Sequence, residues 1–274
     1  MQPKSQHAVL LLPLLLLPLA ACSASGPRDT RTHAQRPFLS RDTHTTADKI
    51  VAAEVGLATV AGHEQQIPVA LRYGMGTRSE LYLETSPYSS VDRPEGQPDG
   101  SGWGDTTIGI RHRLRDADIF SPAYGFQMQT KLPTGRPNSG LGSGETDWFG
   151  ALMATQSYYE FKTTAFYQLG ILGEPDSPNS NLEHTLAVQT RKEVGPHATA
   201  FGEFVFIDEN EIDRTETTLM GGLSIGLDSV TSVDLAIRVG LGDDAEDFQV
   251  LVGISRALGM LFFPDDEVKA SLGR

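Results

Sequence analysis

The sequence predicts an antiparallel, up-and-down transmembrane β-barrel of about twelve strands, and three observations carry that expectation. Apolar and polar residues alternate with period two through most of residues 48–258, the mark of strands with one oily and one wet face. The connections between the alternating segments fall into long and short classes. Charged side chains sit in mid-segment on the polar parity.

Composition frames those observations. A chain of 274 residues with 39% hydrophobic and 21% charged residues and a single cysteine is not collagen, a coiled coil or a disulfide-stapled domain. No apolar run of about 18 residues follows the N-terminus, which excludes a bundle of spanning helices. Barrel strands are only half apolar and escape that test. The net charge of -13 argues against a nucleic-acid partner, since phosphate neutralisation needs a basic surface.

Residues 1–21 read as a signal peptide: Lys4 precedes an apolar stretch from Ala8 to Ala21, long enough for export and too short to span. The stretch ends Leu19-Ala20-Ala21-Cys22, which resembles the lipobox of bacterial lipoproteins. That resemblance implies cleavage before Cys22, a diacylglyceryl group on its sulfur and an acyl chain on its amine. A thiolate is the fitting nucleophile for such a step. Ordinary signal-peptidase cleavage, for instance after Ala24, is the alternative. Ser23, rather than Asp, after the cysteine implies sorting to the outer membrane. Residues 22–47 are polar and aperiodic and are expected to form a lipidated flexible tether, with His33 and His44 solvated.

Twelve segments follow: 49–60, 65–74, 78–86, 104–115, 122–132, 146–156, 161–172, 182–193, 198–207, 215–226, 231–241 and 247–258. In the fourth, Ile108, Ile110 and Leu114 oppose Arg111 and Arg113; in the eleventh, Val233, Leu235, Ile237 and Val239 oppose Asp234 and Arg238. The sixth carries bulky residues on both parities. Connections 87–103, 133–145 and 173–181 are long, whereas 75–77, 157–160, 194–197 and 227–230 are short. Short turns on one side and long loops on the other describe a membrane barrel. An even strand count puts both termini on the short-turn side, where an inner-leaflet anchor at Cys22 would lie. Residues 259–274 form a C-terminal tail.

The polar parity supplies the expected lumen lining: Glu54, Arg72, Glu80, Glu84, Arg111, Arg113, Gln127, Gln129, Lys131, Lys162, Glu183, Arg191, Glu203, Asp234 and Arg238. A soluble sandwich or lipocalin-like barrel would turn the apolar face inward instead. Twelve consecutive strands with a long–short loop rhythm favour the membrane barrel. Arg111, Arg113, Lys131 and Arg238 are expected to face Glu54, Glu80 and Glu84 across the bore, giving a transverse field that selects solutes.

Three motifs cluster in mid-chain: Gly102-Trp103-Gly104-Asp105, Lys131-Leu132-Pro133-Thr134-Gly135 and Leu141-Gly142-Ser143-Gly144-Glu145-Thr146-Asp147. In order and spacing they resemble the outer-membrane transporter family named for the meta-pathway of phenol degradation. The resemblance is strongest over 102–156 and diffuse over the rest of 48–258. It implies a barrel of the Gram-negative outer membrane that passes small, often aromatic or apolar solutes. The residues themselves read as loop scaffolding. Pro133 removes a ladder donor, Gly135 permits a tight bend, and Gly142 and Gly144 let the loop fold back. Gly104 precedes Asp105, and Asp105 and Asp147 are placed to cap turn amides or to take Lys131 or Arg136. Departing from outer-membrane barrels generally, the last segment ends Ser255-Arg256-Ala257-Leu258 rather than on an aromatic residue.

No nucleophile elbow, P-loop, dinucleotide fingerprint or His-Glu-x-x-His motif occurs in the sequence. His112 and His184 fall on the apolar parity, with no serine expected at matching depth beside either, so no enzyme is expected. The acidic runs 208–211 and 242–247 read as solvated loops, and no cofactor or metal is expected. The expected function is a channel or transporter for small solutes, with outer-membrane lipid as the other partner. The alternative is a non-transporting, lipid-anchored structural or binding protein of the envelope.

Overall fold

Alternation becomes a closed wall. The computed structural model describes residues 34–60, 64–91, 100–173, 180–210, 214–242, 245 and 248–260. Its strands are β1 (Ile50–Val60), β2 (Glu64–Met75), β3 (Ser79–Val91), β4 (Gly100–Gly102), β5 (Thr106–Arg115), β6 (Ala123–Leu132) and β7 (Asp147–Tyr158). β8 (Phe161–Gly173), β9 (Ser180–Glu193), β10 (Ala198–Glu209), β11 (Arg214–Gly226), β12 (Thr231–Gly240) and β13 (Phe248–Met260) complete the set. Every consecutive long pair is antiparallel, and β13 pairs with β1 from Ile50↔Met260 to Val60↔Gln249, closing a twelve-stranded barrel. Closure leaves no unpaired edge around the ring.

All twelve expected segments are strands. Two features of the loop expected at 87–103 differ. β3 continues to Val91 by pairing with β2, and the short β4 lies against its end. The β2–β3 register shifts between Ile67 and Val69. Pro68, which has no N–H to give the ladder, sits at that irregularity.

The oily faces point out. Leu57, Leu83, Ile108, Met128, Leu186, Phe204, Leu235 and Val252 are exposed, and mid-strand Leu152 is 61% exposed, whereas Arg111 is 1% exposed. That inversion of the soluble pattern is what hydrocarbon around a barrel demands. Exposed aromatic residues ring both ends: Tyr88, Trp103 and Trp148 at the long-loop end, Phe120, Tyr158 and Phe161 at the short-turn end. Such belts sit at the headgroup level of a bilayer.

The inner face is less uniform than the polar parity suggested. Charged residues line both halves of the wall, but Ala151, Met153, Phe166, Ala187 and Val205 form an apolar cluster on β7–β10. This explains the bulky residues on both parities of the sixth segment: Met153 fills the lumen while Leu152 faces outward. The largest departure concerns the tether. Residues 34–47 do not form a free linker but lie inside the barrel, with Ala34, Gln35, Phe38, Ser40, Asp42 and Thr43 buried. The signal peptide, Cys22, His33 and the tail beyond Met260 lie outside the described residues.

Candidate functional site

The lumenal segment enters at the short-turn end and folds back toward it. At its base Asp48 bridges Gly74, and the Gly76 N–H donates to Asp48 at 2.8 Å. Thr46 donates to Glu80 through both its amide and its hydroxyl, each at 2.7 Å. The Thr43 amide donates to Thr155 at 3.2 Å, and Lys162 holds Asp42 at 2.9 Å. Higher in the bore, Arg41 forks onto Glu84 at 3.0 and 3.1 Å. Glu203 takes the amides of Leu39 at 3.0 Å and Ser40 at 2.8 Å, together with the Ser40 hydroxyl. Arg238 donates to the Pro37 carbonyl at 3.2 Å. The chain then descends: the Gln35 amide donates to Glu54 at 2.9 Å, and Arg191 donates to the Ala34 carbonyl at 3.0 Å.

Shape supports these contacts. Gly56 on β1 stands directly opposite Gly253 on β13, both on the inner face. A Cβ on Gly56 would collide with the Arg36 guanidinium, and one on Gly253 would lie 2.8 Å from Arg36 Nε. The paired glycines thus make a notch in the wall, and Arg36 fills it, donating to the Val252 carbonyl at 3.4 Å. Phe38 meets the Phe201 ring at 4.9 Å, and the Arg191 guanidinium lies over the Phe38 ring, 4.3 Å from its centre. With Ala58, Met220, Ala236 and Leu251 it forms the second apolar cluster of the lumen.

Electrostatics hold the segment. Burial alone would raise the Asp42 carboxyl, but Lys162 and Arg191 overcome it and keep the group well below the usual carboxylate range. Burial lowers the Arg36 guanidinium, against the opposing pull of Asp234 and Glu54.

The expected lining residues are placed as follows. Arg72 contacts Glu54, Glu80 and Glu84, and Arg111 contacts Glu80 at 2.5 Å. These pairs run between neighbouring strands, not across the bore as expected. Strand twist and a closed wall put adjacent side chains within reach, and the lumenal segment occupies the space between opposite walls. Arg113 turns to Asp116 at 2.9 Å, Lys131 to Asp147, and Arg238 lies 4.0 Å from Glu203. Gln127 donates to Gln129, which also accepts from Tyr82. Glu183 accepts from Thr185, and buried Asp234 lies near Arg36.

The mid-chain motifs build the long-loop rim. Asp105 accepts from the Gly135 amide at 2.9 Å and the Ser143 amide at 3.0 Å, while Asp147 accepts from Gly173 at 2.9 Å. Gly142 packs against the Asp105 carboxylate so closely that a Cβ would clash, and Gly144 has φ +80°. Gly104 donates to Ser86 at 2.8 Å, and Pro133 follows the last residue of β6. Between this rim and the lumenal segment lies a chamber of about 340 Å³, whose lining includes Arg36, Phe38, Leu39, Arg72, Glu84 and Asp105.

Sequence reasoning missed two things. The lumenal residues carry no periodic signal, though Arg36, Phe38 and Arg41 crowd into a polar stretch. It also missed a serine beside a histidine: Ser79 Oγ lies 2.9 Å from His112 Nδ1 across β3 and β5. Ser79 is 4% exposed, which suits a wall contact. His184 meets the Tyr167 hydroxyl at 3.0 Å. Of the acidic runs, Asp208 and Glu209 belong to β10, and Glu209 faces Arg214 at 3.4 Å.

No family model matches the chain, and no curated protein matches it. Among solved structures, an outer membrane channel from Pseudomonas putida F1 superposes with a TM-score of 0.61 at 14% identity, over 79% of this chain and 98% of that one. LpxR from Salmonella typhimurium gives 0.45 at 8% identity, over 75% and 99%. The translocator domain of the autotransporter NalP from Neisseria meningitidis gives 0.44 at 10%, over 76% and 86%. The first of these supports the barrel fold.

Proposed function

We propose that this chain is an outer-membrane channel for small solutes that its own N-terminal segment closes at rest. One observation carries the reading: residues 34–47 fill the bore from the short-turn end, leaving the chamber above them on the long-loop side. The apolar surfaces of Phe38, Leu39 and Leu251 in that chamber suit the small aromatic or apolar solutes that the motif resemblance implies. Twelve strands lie between the eight that side chains fill and the sixteen that leave an open channel, so a peptide segment suffices to shut the bore. In planar bilayers the purified protein is expected to show low, intermittent conductance that rises when the segment is loosened. No current above lipid background from either form would refute the channel.

The same reading puts the chain in the outer membrane with a lipid on Cys22. Its support is that the described chain heads toward the short-turn end at Ala34, near Arg191. Labelled palmitate should enter the native chain and not Cys22→Ala; equal labelling of both would remove the anchor.

The density of charged contacts around the segment favours a second reading, a permanently closed barrel with a structural or binding role. Solute uptake unchanged in a deletion strain, with altered envelope integrity, would support it. Neither reading gives Ser79 and His112 a chemical step.

A further inference from the structure

The lumen grips its segment by the main chain as well as by side chains. Glu54 accepts the Gln35 amide, Glu203 those of Leu39 and Ser40, Glu80 that of Thr46, and Thr155 that of Thr43. Arg191 and Arg238 donate to the carbonyls of Ala34 and Pro37. These groups stand on β1, β3, β7, β9, β10 and β12 and so surround the bore. Every residue except proline offers the same amide and carbonyl, so such contacts do not depend on side-chain sequence.

A closed barrel has no free strand edge, so a peptide cannot be held by adding a strand. Here carboxylates and guanidiniums take the place of the ladder, and hydrogen bonds to ionised groups are the stronger kind. Glu203 serves the segment more closely than it serves the wall: Arg238 is 4.0 Å away, whereas Glu203 accepts two amides at 3.0 Å or less and the Ser40 hydroxyl. Sequence-specific grips stand beside these, among them Arg36 in its glycine notch, Phe38 on Phe201, Arg41 on Glu84, Asp42 on Lys162 and the hydroxyls of Ser40 and Thr46 on Glu203 and Glu80.

From this arrangement we infer that the lumen is a binding site for short peptides, recognised through their main chain by Glu54, Glu80, Glu203, Arg191 and Arg238. The inference goes beyond the small-solute channel proposed above: block of conductance by a peptide rests on that reading, whereas peptide binding in the lumen does not. The chain's own segment is the resident ligand. Its tether gives it a high effective concentration, so a free peptide competes only when the resident is weakened.

The test uses the full chain carrying Arg36→Ser, Phe38→Ser, Arg41→Ser and Asp42→Ser together, which removes the ionic and aromatic side-chain grips and leaves the lumenal wall intact. Heat-modifiable gel mobility checks that the barrel has formed. The probes are a fluorescein-labelled heptapeptide of alanine and serine and its counterpart N-methylated at every amide. The unmethylated peptide should bind at least tenfold more tightly by fluorescence polarisation and should block the variant's conductance. Adding Glu203→Ala should shrink that difference. Equal binding of the two peptides, or no binding of either, would overturn the inference. If the variant binds the peptide yet carries no current, the peptide site stands and the channel reading falls.

Discussion

Glu203 on β10 holds Ser40 by both its amide, at 2.8 Å, and its hydroxyl, and it is 2% exposed. With the Leu39 amide it accepts three donors from the lumenal segment. A hydrogen bond to a charged group contributes about 1.5–3 kcal/mol, and about 1.4 kcal/mol is tenfold in an equilibrium. Glu203→Ala should therefore raise the open fraction in single-channel recordings by about tenfold or more. An unchanged open fraction would mean that the segment does not govern conductance.

The glycine notch offers an independent lever on the same equilibrium. Gly253→Val places methyl groups where Arg36 Nε and the Asp234 carboxylate now stand, each 2.8 Å from an added Cβ. Overpacking of this kind costs about 1–3 kcal/mol. Protease should then cut within residues 34–47 faster in the variant than in the parent, while heat-modifiable mobility stays the same. Loss of the barrel instead would show that the notch serves the wall and not the segment.

The wall and the plug were not equally legible. Period two is local, so each strand announces its oily parity within a few residues, and the motif residues around Asp105 and Asp147 mark a loop by their glycines. The lumenal segment is held by partners 19 to more than 200 residues away, such as Glu54 for Gln35 and Val252 for Arg36. No local pattern encodes such pairs. Two hints were present: inward Gly56 and Gly253 on a parity otherwise rich in charge, and Arg36, Phe38 and Arg41 within an otherwise polar stretch. The inward Met153 and Phe166 blurred the polar parity because a filled lumen needs apolar packing as well as charge.

Acid should open the plug only far below neutrality. A carboxylate depressed by folding contributes stability above its unfolded pKa of about 3.9 and loses it as pH falls through the folded value. Asp42 is held well below its ordinary value despite burial, chiefly by Lys162. Conductance should therefore stay flat between about pH 8 and about pH 5 as far as the Asp42 carboxyl is concerned. In Lys162→Met the burial effect loses its main opponent, so acid opening should move to higher pH. A wild type that opens near pH 6 would assign closure to another group.

Leu152 discriminates a membrane barrel from a soluble one. It is 61% exposed at the middle of β7. On a water-facing wall Leu152→Arg would change stability by about 0.5 kcal/mol or less. At a bilayer midplane the same change costs about 2–4 kcal/mol. Urea titration of the protein folded into lipid vesicles, compared with the parent, separates those values. A shift near zero would place Leu152 in water and remove the spanning reading.

Asp105 ties the rim of the chamber to the loop that follows β6. Its two oxygens take the amides of Gly135 and Ser143 at 2.9 and 3.0 Å, while Arg136 between them is exposed. Leaving those amides unpaired costs about 1–3 kcal/mol each where they are shielded from water. Asp105→Ala should thus let the loop open about tenfold more often or beyond, and proteinase K should cut within residues 133–146 correspondingly faster. Because β5–β6 and β6–β7 pairing does not involve that side chain, unfolding in urea should move far less than the cutting rate. Equal cutting of both proteins would show that the glycine-rich turns, with Gly140 at φ +69° and Gly144 at φ +80°, hold the loop without the carboxylate.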